Sequence, residues 1–424
     1  MDLDIKQQEA VQSCLDLSKR IVAVTGKAGT GKTSIMRHVF TTLGNNGYSV
    51  AACAPTGKAA KRIKEATGIA AETIHRLLEF PRPGERDPKT GRALDVTLPK
   101  RCRALPLEHD VVLVDEYAMV NHDLHRQLLD ALKPGASIRM FGDVNQLPPI
   151  EKSKALNAQP SPFEDVLKRF TGITLETIHR QGEGSGIVTN GARILSGFPP
   201  RRTDDFQLHV TDRPHDALME LLAQAQDKQI DYTILDNQII VTMNKSWVGT
   251  YKINAILQQT FRTEMDGWYD LPRHPWDAEL PVRIHVGDKV VCTQNNYAIG
   301  SNTDTLGMFN GEVGIVQEIG EFGEVLIDLG DRVVNVPPIL VVEWGEKQYT
   351  SYPQKDITLA YALTTHKCQG SEYKNVIYII NKSAYYMLNR KNFYTAITRA
   401  REAVSVITDQ KALAQSLAVI KPRV

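Results

Sequence analysis

The amino-acid sequence predicts an α/β protein built from two parallel-sheet domains, with a small β-barrel inserted in the second. A glycine-rich loop at residues 26–33 follows an apolar strand and opens a helix. Strand and helix patterns then alternate through residues 48–141, which indicates a parallel sheet covered on both faces. Short β-branched runs separated by Gly, Asn and Asp at residues 281–350 are typical of a small barrel.

Bulk composition limits the class of protein. The chain has 424 residues, 42% of them hydrophobic and 23% charged, so we expect a soluble globular protein of about two to four domains. The net charge is only +1, and nucleic-acid contacts must therefore come from local basic surface. Five cysteines without a C-x-x-C pair argue against a zinc site or a disulfide framework. The first residues lack a basic start followed by an apolar core, and no segment approaches the ~18 apolar residues of a membrane span, so we expect no membrane partner and a cytoplasmic location.

Apolar spacing and chain-breaking residues predict the individual elements. Val11, Cys14 and Leu15 have helical spacing ahead of the first strand at residues 21–24. A helix that includes Ile35 ends at Gly44, and a later one ends before Pro134. The remaining predictions are a helix at residues 57–66 and strands at 48–53, 111–114, 138–141, 238–242 and 376–380.

The loop Gly26-Lys27-Ala28-Gly29-Thr30-Gly31-Lys32-Thr33 carries the most specific chemical signal. Small residues between a strand and a helix let backbone N–H groups surround an oligophosphate, and the helix dipole adds positive potential. Lys32 would reach the β and γ phosphates, and Thr33 would hold Mg²⁺. We therefore predict a nucleoside-triphosphate site formed by Gly26, Gly29, Thr30, Gly31, Lys32, Thr33 and Ser34.

Two carboxylates and an amide follow the next buried strands. Asp115 and Glu116 come directly after residues 111–114, at the edge where a parallel sheet exposes its ligands. Asp115 suits Mg²⁺ through water, and Glu116 suits general-base activation of the attacking water. Gln146 lies on a loop stiffened by two prolines. It is a candidate sensor of the γ-phosphate, and a proline-stiffened domain linker is the alternative.

Two arginines and a set of mostly basic and hydroxyl residues complete the candidates. Arg180 and Arg399 fall in the second domain, where each either stabilises a transferring phosphoryl group across a domain interface or forms a surface ion pair. Basic and hydroxyl side chains at the ends of β-strands, on an open edge of a sheet, can hold the phosphates of a nucleic acid without reading its bases. One such residue alone is more often solvated or packed. The predicted DNA-binding set is Pro55, Thr56, Lys58, His75, Thr365 and His366.

Taken in order, the motifs resemble those of superfamily 1 helicases, and in particular the RecD-like superfamily 1B branch that includes the phage Dda helicase. The similarity begins with Leu3-x-x-x-Gln7-x-x-Ala10 and the phosphate loop, and it continues through nearly the whole chain. The order of the motifs is more specific than any single match. The further matching segments are residues 54–60, 73–75, 115–119, 142–149, 180–181, 244–254, 286–290, 309–314, 366–372 and 395–400.

The resemblance implies two RecA-like P-loop domains, with a strand-separating β-hairpin, or pin, and an SH3-like β-barrel as insertions. The proline-rich insertion has room only for a hairpin or an extended loop. The predicted boundaries are residues 1–78 and 108–155 for the first domain, 79–107 for the pin, 156–280 and 351–424 for the second domain, and 281–350 for the barrel.

The resemblance also implies an activity. Such enzymes are ATP-dependent DNA helicases that move 5′ to 3′ on single-stranded DNA by coupling hydrolysis to domain closure. Gln7 would contact adenine, and Glu372 would lie near the ribose. ATP and Mg²⁺ are the expected cofactors. The catalytic residues would be Lys32, Glu116, Gln146, Arg180 and Arg399, and Thr33 and Asp115 would hold the metal.

The expected substrates are single-stranded and forked duplex DNA, and the expected state is a monomer in a bacterial or phage-infected cell. A single-stranded-DNA-binding or replication protein is the expected kind of protein partner. The sequence departs from the family in two places. No Phe, Tyr or Trp lies between Phe80 and Tyr117 to supply a stacking ring in the pin, and Tyr117 stands where a small residue is common.

Other functions fit the same motifs. An ATP-gated clamp or translocase without strong unwinding is one alternative, and an RNA helicase is another, because backbone contacts distinguish DNA from RNA poorly. A P-loop kinase fits less well, since a second αβ domain with two candidate arginines has no task there.

Overall fold

The structure is a computed structural model. It describes residues 3–81, 85, 92, 94–177, 185–262, 268–271, 282–296, 299, 307–344 and 347–420, without the side chains of 342–349. The chain divides into two compact units, which we call unit 1 (Met1–Glu183) and unit 2 (Gly184–Arg423). Among the described residues, no helix is long and apolar enough to cross a lipid bilayer.

Unit 1 is built around a parallel sheet. Its strands are β1 (Ile21–Gly26), β2 (Val50–Ala54), β3 (Glu72–Thr73), β4 (Val111–Val114), β5 (Ser137–Gly142) and β6 (Thr171–Leu175). Within the described residues they lie in the order β3-β2-β4-β5-β1-β6, and each neighbouring pair is parallel. The central strands are buried on both faces, as expected for near-continuous apolar runs. The predicted parallel α/β architecture is confirmed here.

Helices cover both faces of this sheet. They are α1 (Ile5–Leu15), α2 (Lys32–Asn45), α3 (Gly57–Thr67), α4 (Ile74–Leu77), α5 (His122–Asp130), α6 (Lys154–Asn157) and α7 (Pro162–Arg169). Side chains alternate along a strand, so Val24 of β1 packs in the layer formed with α1, α2 and α3. Its neighbour Ala23 packs in the opposite layer, with α5 and α7.

The position of strand β6 shows that the first domain extends further along the chain than the sequence predicts. The sequence predicts that the second domain starts at residue 156, whereas β6 pairs in parallel with β1, with Ile173 beside Val24. Phe163 and Val166 of α7 also pack in the core of unit 1. Because β6 is an edge strand with alternating exposed residues, its sequence lacks the apolar run that marks β4 and β5.

Unit 2 contains the remaining elements. Its helices are α8 (Gly186–Leu195), α9 (Pro214–Asp227), α10 (Thr250–Phe261), α11 (Arg390–Ile397) and α12 (Gln410–Ala418). Its strands are β7 (Phe206–Val210), β8 (Asn237–Val241), β9 (Tyr269–Leu271), β10 (Val282–Ile284), β11 (Lys289–Cys292), β12 (Val313–Ile319), β13 (Val325–Asp328), β14 (Val333–Val336), β15 (Leu340–Trp344), β16 (Lys347–Ser351), β17 (Ile357–Leu359), β18 (Ala362–Thr364), β19 (Tyr373–Ile380) and β20 (Ala400–Thr408).

Two larger sheets organise the described part of unit 2. A parallel sheet has the order β18-β8-β19-β20-β7, and an antiparallel sheet has the order β14-β13-β12-β11-β17. The antiparallel sheet includes β17, which lies beyond the predicted barrel limit at residue 350. Strand β17 leads directly into β18, so the chain passes from one sheet into the other there. An SH3-like barrel stays a prediction.

The predicted pin falls partly outside the described residues, which omit 82–84, 86–91 and 93. Where the insertion is described, the backbone N–H of Arg101 donates to the Leu78 carbonyl at 3.1 Å. Cys102 and Leu105 then pair across a tight turn. These contacts attach the end of the insertion to unit 1, and its role as a pin stays a prediction.

Candidate nucleotide-binding site

The phosphate loop joins β1 to α2 at the carboxyl edge of the unit 1 sheet. Gly29 and Gly31 have φ angles of 81° and 85°, a left-handed conformation that glycine adopts without strain. A Cβ at Gly26 would lie 2.4 Å from Thr30 Oγ1, so no larger residue fits there. The Thr30 hydroxyl donates to the Lys27 carbonyl at 2.9 Å and holds the turn closed. The loop is a preformed cradle at a helix N-terminus.

Lys32 begins α2 and folds back over this cradle. Its Nζ donates to the carbonyl oxygens of Gly26 at 2.6 Å and Lys27 at 2.9 Å. Because an ammonium group has three donors, one donor remains for a phosphate oxygen. Thr33 and Ser34 follow in the first turn of α2 and are half-buried.

Gln7 supports the loop from α1. Its Nε2 donates to the Thr30 carbonyl at 3.1 Å, and its Oε1 accepts the backbone N–H of Asp4 at 3.1 Å. Gln7 is buried, and a Cβ at Gly31 would lie 2.4 Å from its Nε2. One N–H and one lone pair of the amide stay available, which is what an adenine edge needs. Adenine contact stays a prediction, whereas the bond to the loop is observed.

Asp115 follows β4 at the same edge of the sheet. Burial raises the pKa of its carboxyl to about 6, with a further contribution from the neighbouring Glu116, whereas the Lys32 ammonium acts in the opposite direction. The Glu116 backbone N–H donates to Asp115 Oδ1 at 2.8 Å. Asp115 and Lys32 therefore share one site, where an added cation would favour the ionised carboxylate.

Glu116 has an unusual backbone. Its φ of 51° and ψ of 38° place a non-glycine residue in the left-handed region, a strained conformation that clusters at functional sites. The side chain is 12% exposed, and its Oε1 lies 4.0 Å from Nη1 of Arg62. The sequence pattern did not single out Arg62. The geometry keeps the carboxylate accessible while one cation stands near it.

Gln146 lies in the turn after β5. Its backbone N–H donates to the Asp143 carbonyl at 3.1 Å, and the Val144 N–H bonds Thr25 Oγ1 of β1 at 3.2 Å. The side chain is buried, and Oε1 has no hydrogen-bond partner among the described residues. An unsatisfied buried oxygen costs about 1–3 kcal/mol. A donor is therefore expected there, such as a water beside the γ-phosphate.

Together these residues fit a nucleoside triphosphate with Mg²⁺. The glycine cradle leaves no room for a Cβ at Gly26, Lys32 keeps a free donor, and Gln146 presents an unsatisfied oxygen. Mg²⁺ in such sites takes one or two protein ligands together with phosphate oxygens and water. Thr33 and Asp115 are the protein groups of suitable chemistry.

Arg399 and the segment that carries Glu372, both predicted to contact the nucleotide, are neighbours within unit 2. Arg399 is 2% exposed, and its Nε donates to the Thr395 carbonyl at 3.0 Å. Its Nη1 donates to the Ser371 carbonyl at 3.3 Å, and the next residue, Glu372, is half-buried. Arg399 and the 371–372 peptide thus belong to one local cluster. Arg180, which the sequence analysis assigns to the second domain, falls within the limits of unit 1 instead and lies outside the described residues.

The DNA-binding candidates of unit 1 lie after β2 and β3, which are neighbours in the sheet. Thr56 caps α3, because its Oγ1 accepts the Ala59 N–H at 3.2 Å. Pro55 and Lys58, on either side of it, are half-buried. His75 is exposed on α4, with its ring 4.7 Å from that of Phe80. Since parallel strands end at one edge, these residues share that edge.

The candidates of unit 2 divide into a buried and a half-buried group. Thr365 is 0% exposed, and its hydroxyl donates to Asn392 Oδ1 at 2.7 Å. It therefore offers no surface to a strand, because the chain after β18 turns its side chain into the core. His366 is half-buried, as is the adjacent Lys367, which lies outside the predicted set, and burial lowers the pKa of each side chain.

Arg139 is a supporting residue to which the sequence pattern gave no role. It is fully buried in β5, and its guanidinium donates to the carbonyls of Cys14 at 2.7 Å, Lys19 at 2.9 Å and Asp16 at 3.1 Å. These bonds fasten the C-terminal end of α1 to the sheet, while Gln7 fastens its other end to the phosphate loop. The sequence signal that could have identified Arg139 is a charged residue inside an otherwise apolar strand.

Tyr117 is one of the two departures from the family pattern, and its packing shows how the fold accommodates it. It is fully buried, with its hydroxyl 2.8 Å from His125 Nδ1 and its ring 5.8 Å from that of Phe163. The larger side chain is accommodated in the core beneath Asp115 and Glu116. Its hydroxyl has a partner, so the burial is not costly.

Comparison with known families and proteins agrees with these observations. Residues 2–207 match the family model described as an AAA domain, and residues 359–407 match the UvrD-like helicase C-terminal domain. The chain is 30% identical to the ATP-dependent RecD2 DNA helicase of Deinococcus radiodurans over 391 residues, which cover 90% of this chain and 46% of that protein. It thus spans about half the length of that relative.

Other similarities extend over nearly the whole chain. The RecBCD enzyme subunit RecD of Mycolicibacterium smegmatis is 26% identical, over 95% of this chain and 70% of that protein. A structure of Pif1 helicase from Bacteroides with ADP-AlF3 and single-stranded DNA has a TM-score of 0.61 at 22% identity, covering 98% of this chain and 94% of that one. This structural similarity shows a shared fold. The resemblance to RecD-like superfamily 1B helicases is confirmed.

Proposed function

We propose that this chain is an ATP-dependent DNA helicase that moves 5′ to 3′ along single-stranded DNA and unwinds duplex ahead of it. The observation that carries the proposal is the site on unit 1, where Lys32, Asp115 and Glu116 meet beside a glycine cradle. The similarity to RecD2 and RecD helicases supports DNA unwinding as the use made of ATP.

Each residue of the site has a task in hydrolysis. Lys32 would bind the β and γ phosphates with its remaining donor, and the loop amides would hold the other oxygens. Glu116 would accept a proton from the attacking water, and Gln146 would position that water. Mg²⁺, held by Thr33 and Asp115, supplies charge neutralisation at the phosphates when it is bound. Gln7 would contact adenine while its bond to the Thr30 carbonyl holds the phosphate loop, so that base binding and loop conformation are linked.

The movement of DNA requires coupling beyond unit 1. We propose that the two units act as RecA-like domains whose closure, with Arg399 and Arg180 contributing to the γ-phosphate, alternates their grip on the strand. The substrate would be single-stranded or forked DNA. Pif1 structures with single-stranded DNA and with forked duplex support this choice by fold similarity.

The rate of ATP hydrolysis with and without single-stranded DNA tests this function. We expect strong stimulation that grows with DNA length before it saturates, because a translocating enzyme hydrolyses ATP along the whole strand. Stimulation that is independent of length would indicate an ATP-gated clamp. Equal or greater stimulation by RNA of the same sequence would indicate an RNA helicase, and no stimulation by either would overturn the proposal.

A further inference from the structure

A concave site on unit 1 lies at the edge of the parallel sheet opposite to the phosphate loop. It is an open pocket of about 750 Å³, placed where β1 and β6 begin and where α5 and α7 end. Ile21 begins β1, and Gly26 ends this strand at the phosphate loop. Because a strand rises about 3.3 Å per residue, roughly 16 Å of β1 separates the pocket from the nucleotide site. A ligand in the pocket would therefore leave the nucleotide site open.

The walls of the pocket are largely apolar. Ile21 and Leu129 are half-buried and pack at the margin of the core, and Leu132 is buried. Phe170, at the end of α7, is 48% exposed. An apolar group that entered the pocket would remove this ring and the aliphatic walls from water, which favours binding. The volume lies within the range of about 300–1,000 Å³ that is typical of ligand pockets, so a large apolar side chain has room there.

The charged side chains that line the pocket are all positive. They are Lys19, Arg20 and Arg169, and no Asp or Glu lines the pocket among the described residues. Lys19 Nζ lies 3.8 Å from Asp16 Oδ2, and Arg169 Nε lies 2.8 Å from Asp165 Oδ1. Arg20 is exposed and forms no ion pair within the part of the chain that the structure describes. At least one full positive charge is therefore available to an anionic group.

The cations reach the pocket from two neighbouring segments of the chain. In the sheet, Val22 of β1 pairs with Thr171 of β6. Arg20 precedes the first of these residues by two positions, and Arg169 precedes the second by two. Carboxylates on both sides of one apolar side chain would meet these cations. A peptide presents that pattern in consecutive residues, whereas a small amphipathic acid has only one charged end.

The lining differs from that of a groove for nucleic acid. Proteins hold a strand without reading its sequence through many hydroxyl, amide and backbone groups along its phosphates. Among the described lining residues, Thr171 supplies the only uncharged polar side chain. The DNA-binding candidates of unit 1 lie at the opposite edge, after β2 and β3. Apolar walls with cations beside them are better suited to an acidic protein segment.

We propose that this pocket is a docking site for an acidic peptide segment of a partner protein. The segment inserts one large apolar side chain beside Phe170, while its carboxylates meet Arg20 and Arg169. The inference goes beyond the proposed helicase function and does not depend on it, because the pocket and the nucleotide site lie at opposite edges of the sheet. A chain that failed to hydrolyse ATP would still bind the peptide.

Fluorescence anisotropy of short labelled peptides, measured with the full chain, tests the docking site. Each peptide carries several Asp and Glu residues on either side of one central residue, which is Leu, Phe or Ser. We expect the Leu or the Phe peptide to bind with micromolar affinity. The Ser peptide should bind at least about tenfold more weakly, since it has no large apolar side chain to bury. Failure of both the Leu and the Phe peptide to bind overturns the proposal, and so does equal binding of the Ser peptide.

Two substitutions in the pocket test its residues. Arg20→Glu and Phe170→Ser should each weaken binding of the better peptide about tenfold or more, the first by reversing a charge and the second by removing apolar contact. Lys168→Glu is the matched control. Lys168 is exposed on α7 beside Arg169 and does not line the pocket, so this variant should change affinity less than about threefold.

Equal affinity of Arg20→Glu and Lys168→Glu for the peptide would overturn the docking site. Should Arg20→Glu not fold, as judged by its circular dichroism spectrum, Arg169→Glu makes the same test, and unchanged binding again overturns it.

Competition and sedimentation identify other occupants. Excess oligothymidylate or a non-hydrolysable ATP analogue should not displace the bound peptide, because the candidate sites for both lie at the opposite edge of the sheet. Displacement by either would place the peptide at the DNA or nucleotide site and contradict the proposal. A dimer of the unaltered chain that Phe170→Ser dissociates would show that a second copy covers the pocket, which also contradicts it.

Discussion

The side-chain amide of Gln7 donates a hydrogen bond to the backbone carbonyl of Thr30 across 3.1 Å. This bond joins the first helix of the chain to the loop that would hold the triphosphate. At the other end of the helix, Arg139 bonds the Cys14 carbonyl at 2.7 Å. Helix α1 is thus fixed at both ends, by the phosphate loop at its N-terminal end and by β5 of the unit 1 core at its C-terminal end.

Replacement of Gly31 by alanine tests the contact between helix α1 and the phosphate loop. The residue has a φ of +85°, and a Cβ would lie 2.4 Å from Gln7 Nε2. Gly47 has a nearly equal φ of +84° with nothing within 4 Å of its Cβ position, so Gly47→Ala is the matched control. Both variants should lose about 1–2 kcal/mol of stability from backbone strain. Only Gly31→Ala should also bind ATP at least about fivefold more weakly, since it loses a bond worth about 1 kcal/mol.

Titration with a fluorescent ATP analogue and urea denaturation measure these two effects. Equal ATP affinity in the two variants would show that Gln7 does not support the loop.

Arg139→Met tests the attachment of the C-terminal end of α1 to the sheet. The substitution keeps a long apolar stem but leaves the carbonyls of Cys14, Asp16 and Lys19 without their donor. Bonds from a charged donor contribute about 1.5–3 kcal/mol each, so we expect a loss of about 3–5 kcal/mol in the free energy of unfolding. Arg126→Met, at a site where the side chain is 71% exposed, should change it by less than about 1 kcal/mol. Urea denaturation that gives similar values for both variants would contradict a role in holding α1.

Glu116→Gln tests the proposed general base. Loss of a general base lowers the rate about 10²–10⁴-fold, and we expect a fall of that size in kcat while ATP still binds. Glu65→Gln is the control, because Glu65 is 61% exposed on α3 and pairs only with Lys61 among the described residues. Pre-steady-state hydrolysis and nucleotide titration provide the readouts. Normal turnover by Glu116→Gln would remove Glu116 from this role.

Asp115 predicts a dependence of stability on pH. Its pKa in the folded chain, about 6, lies above the ordinary value of 3.8. The folded state therefore binds a proton more tightly than the unfolded state, and folding loses stability as pH rises from about 4 to about 6. Without nucleotide, Asp115→Asn should be about 1–2 kcal/mol more stable than the unaltered chain at pH 7, after allowance for partial exposure. At pH 4 the two should be nearly equal in urea denaturation. A difference that does not change with pH would contradict the buried carboxyl.

The strongly patterned parts of the chain are the ones that the sequence predicts well. Val111–Val114 forms β4 with the predicted limits, and the predicted strand at residues 138–141 lies inside β5. Buried parallel strands must be apolar on both faces, so their sequences are distinctive. Edge strands need not be, and β6 was missed for that reason. The insertions depend on long-range pairing, such as that of β17 with β11, which no local pattern contains.

The candidate site shows the same division. The residues of the phosphate loop are recognisable because backbone geometry demands glycine at Gly29 and Gly31. Supporting contacts are different, because they depend on which distant side chains meet. The distance from Arg139 to Cys14 spans 125 positions in the sequence, and the burial of Thr365 follows from its contact with Asn392. Neither relationship has a local signature.

Unwinding of duplexes that carry either a 5′ or a 3′ single-stranded tail tests the central claim most directly. With ATP and Mg²⁺, the unaltered chain should release the strand from the 5′-tailed duplex, and it should do so much less from the 3′-tailed one. Glu116→Gln should release neither. Failure on both duplexes, together with ATP hydrolysis that single-stranded DNA does not stimulate, would contradict the account of this chain as a DNA helicase.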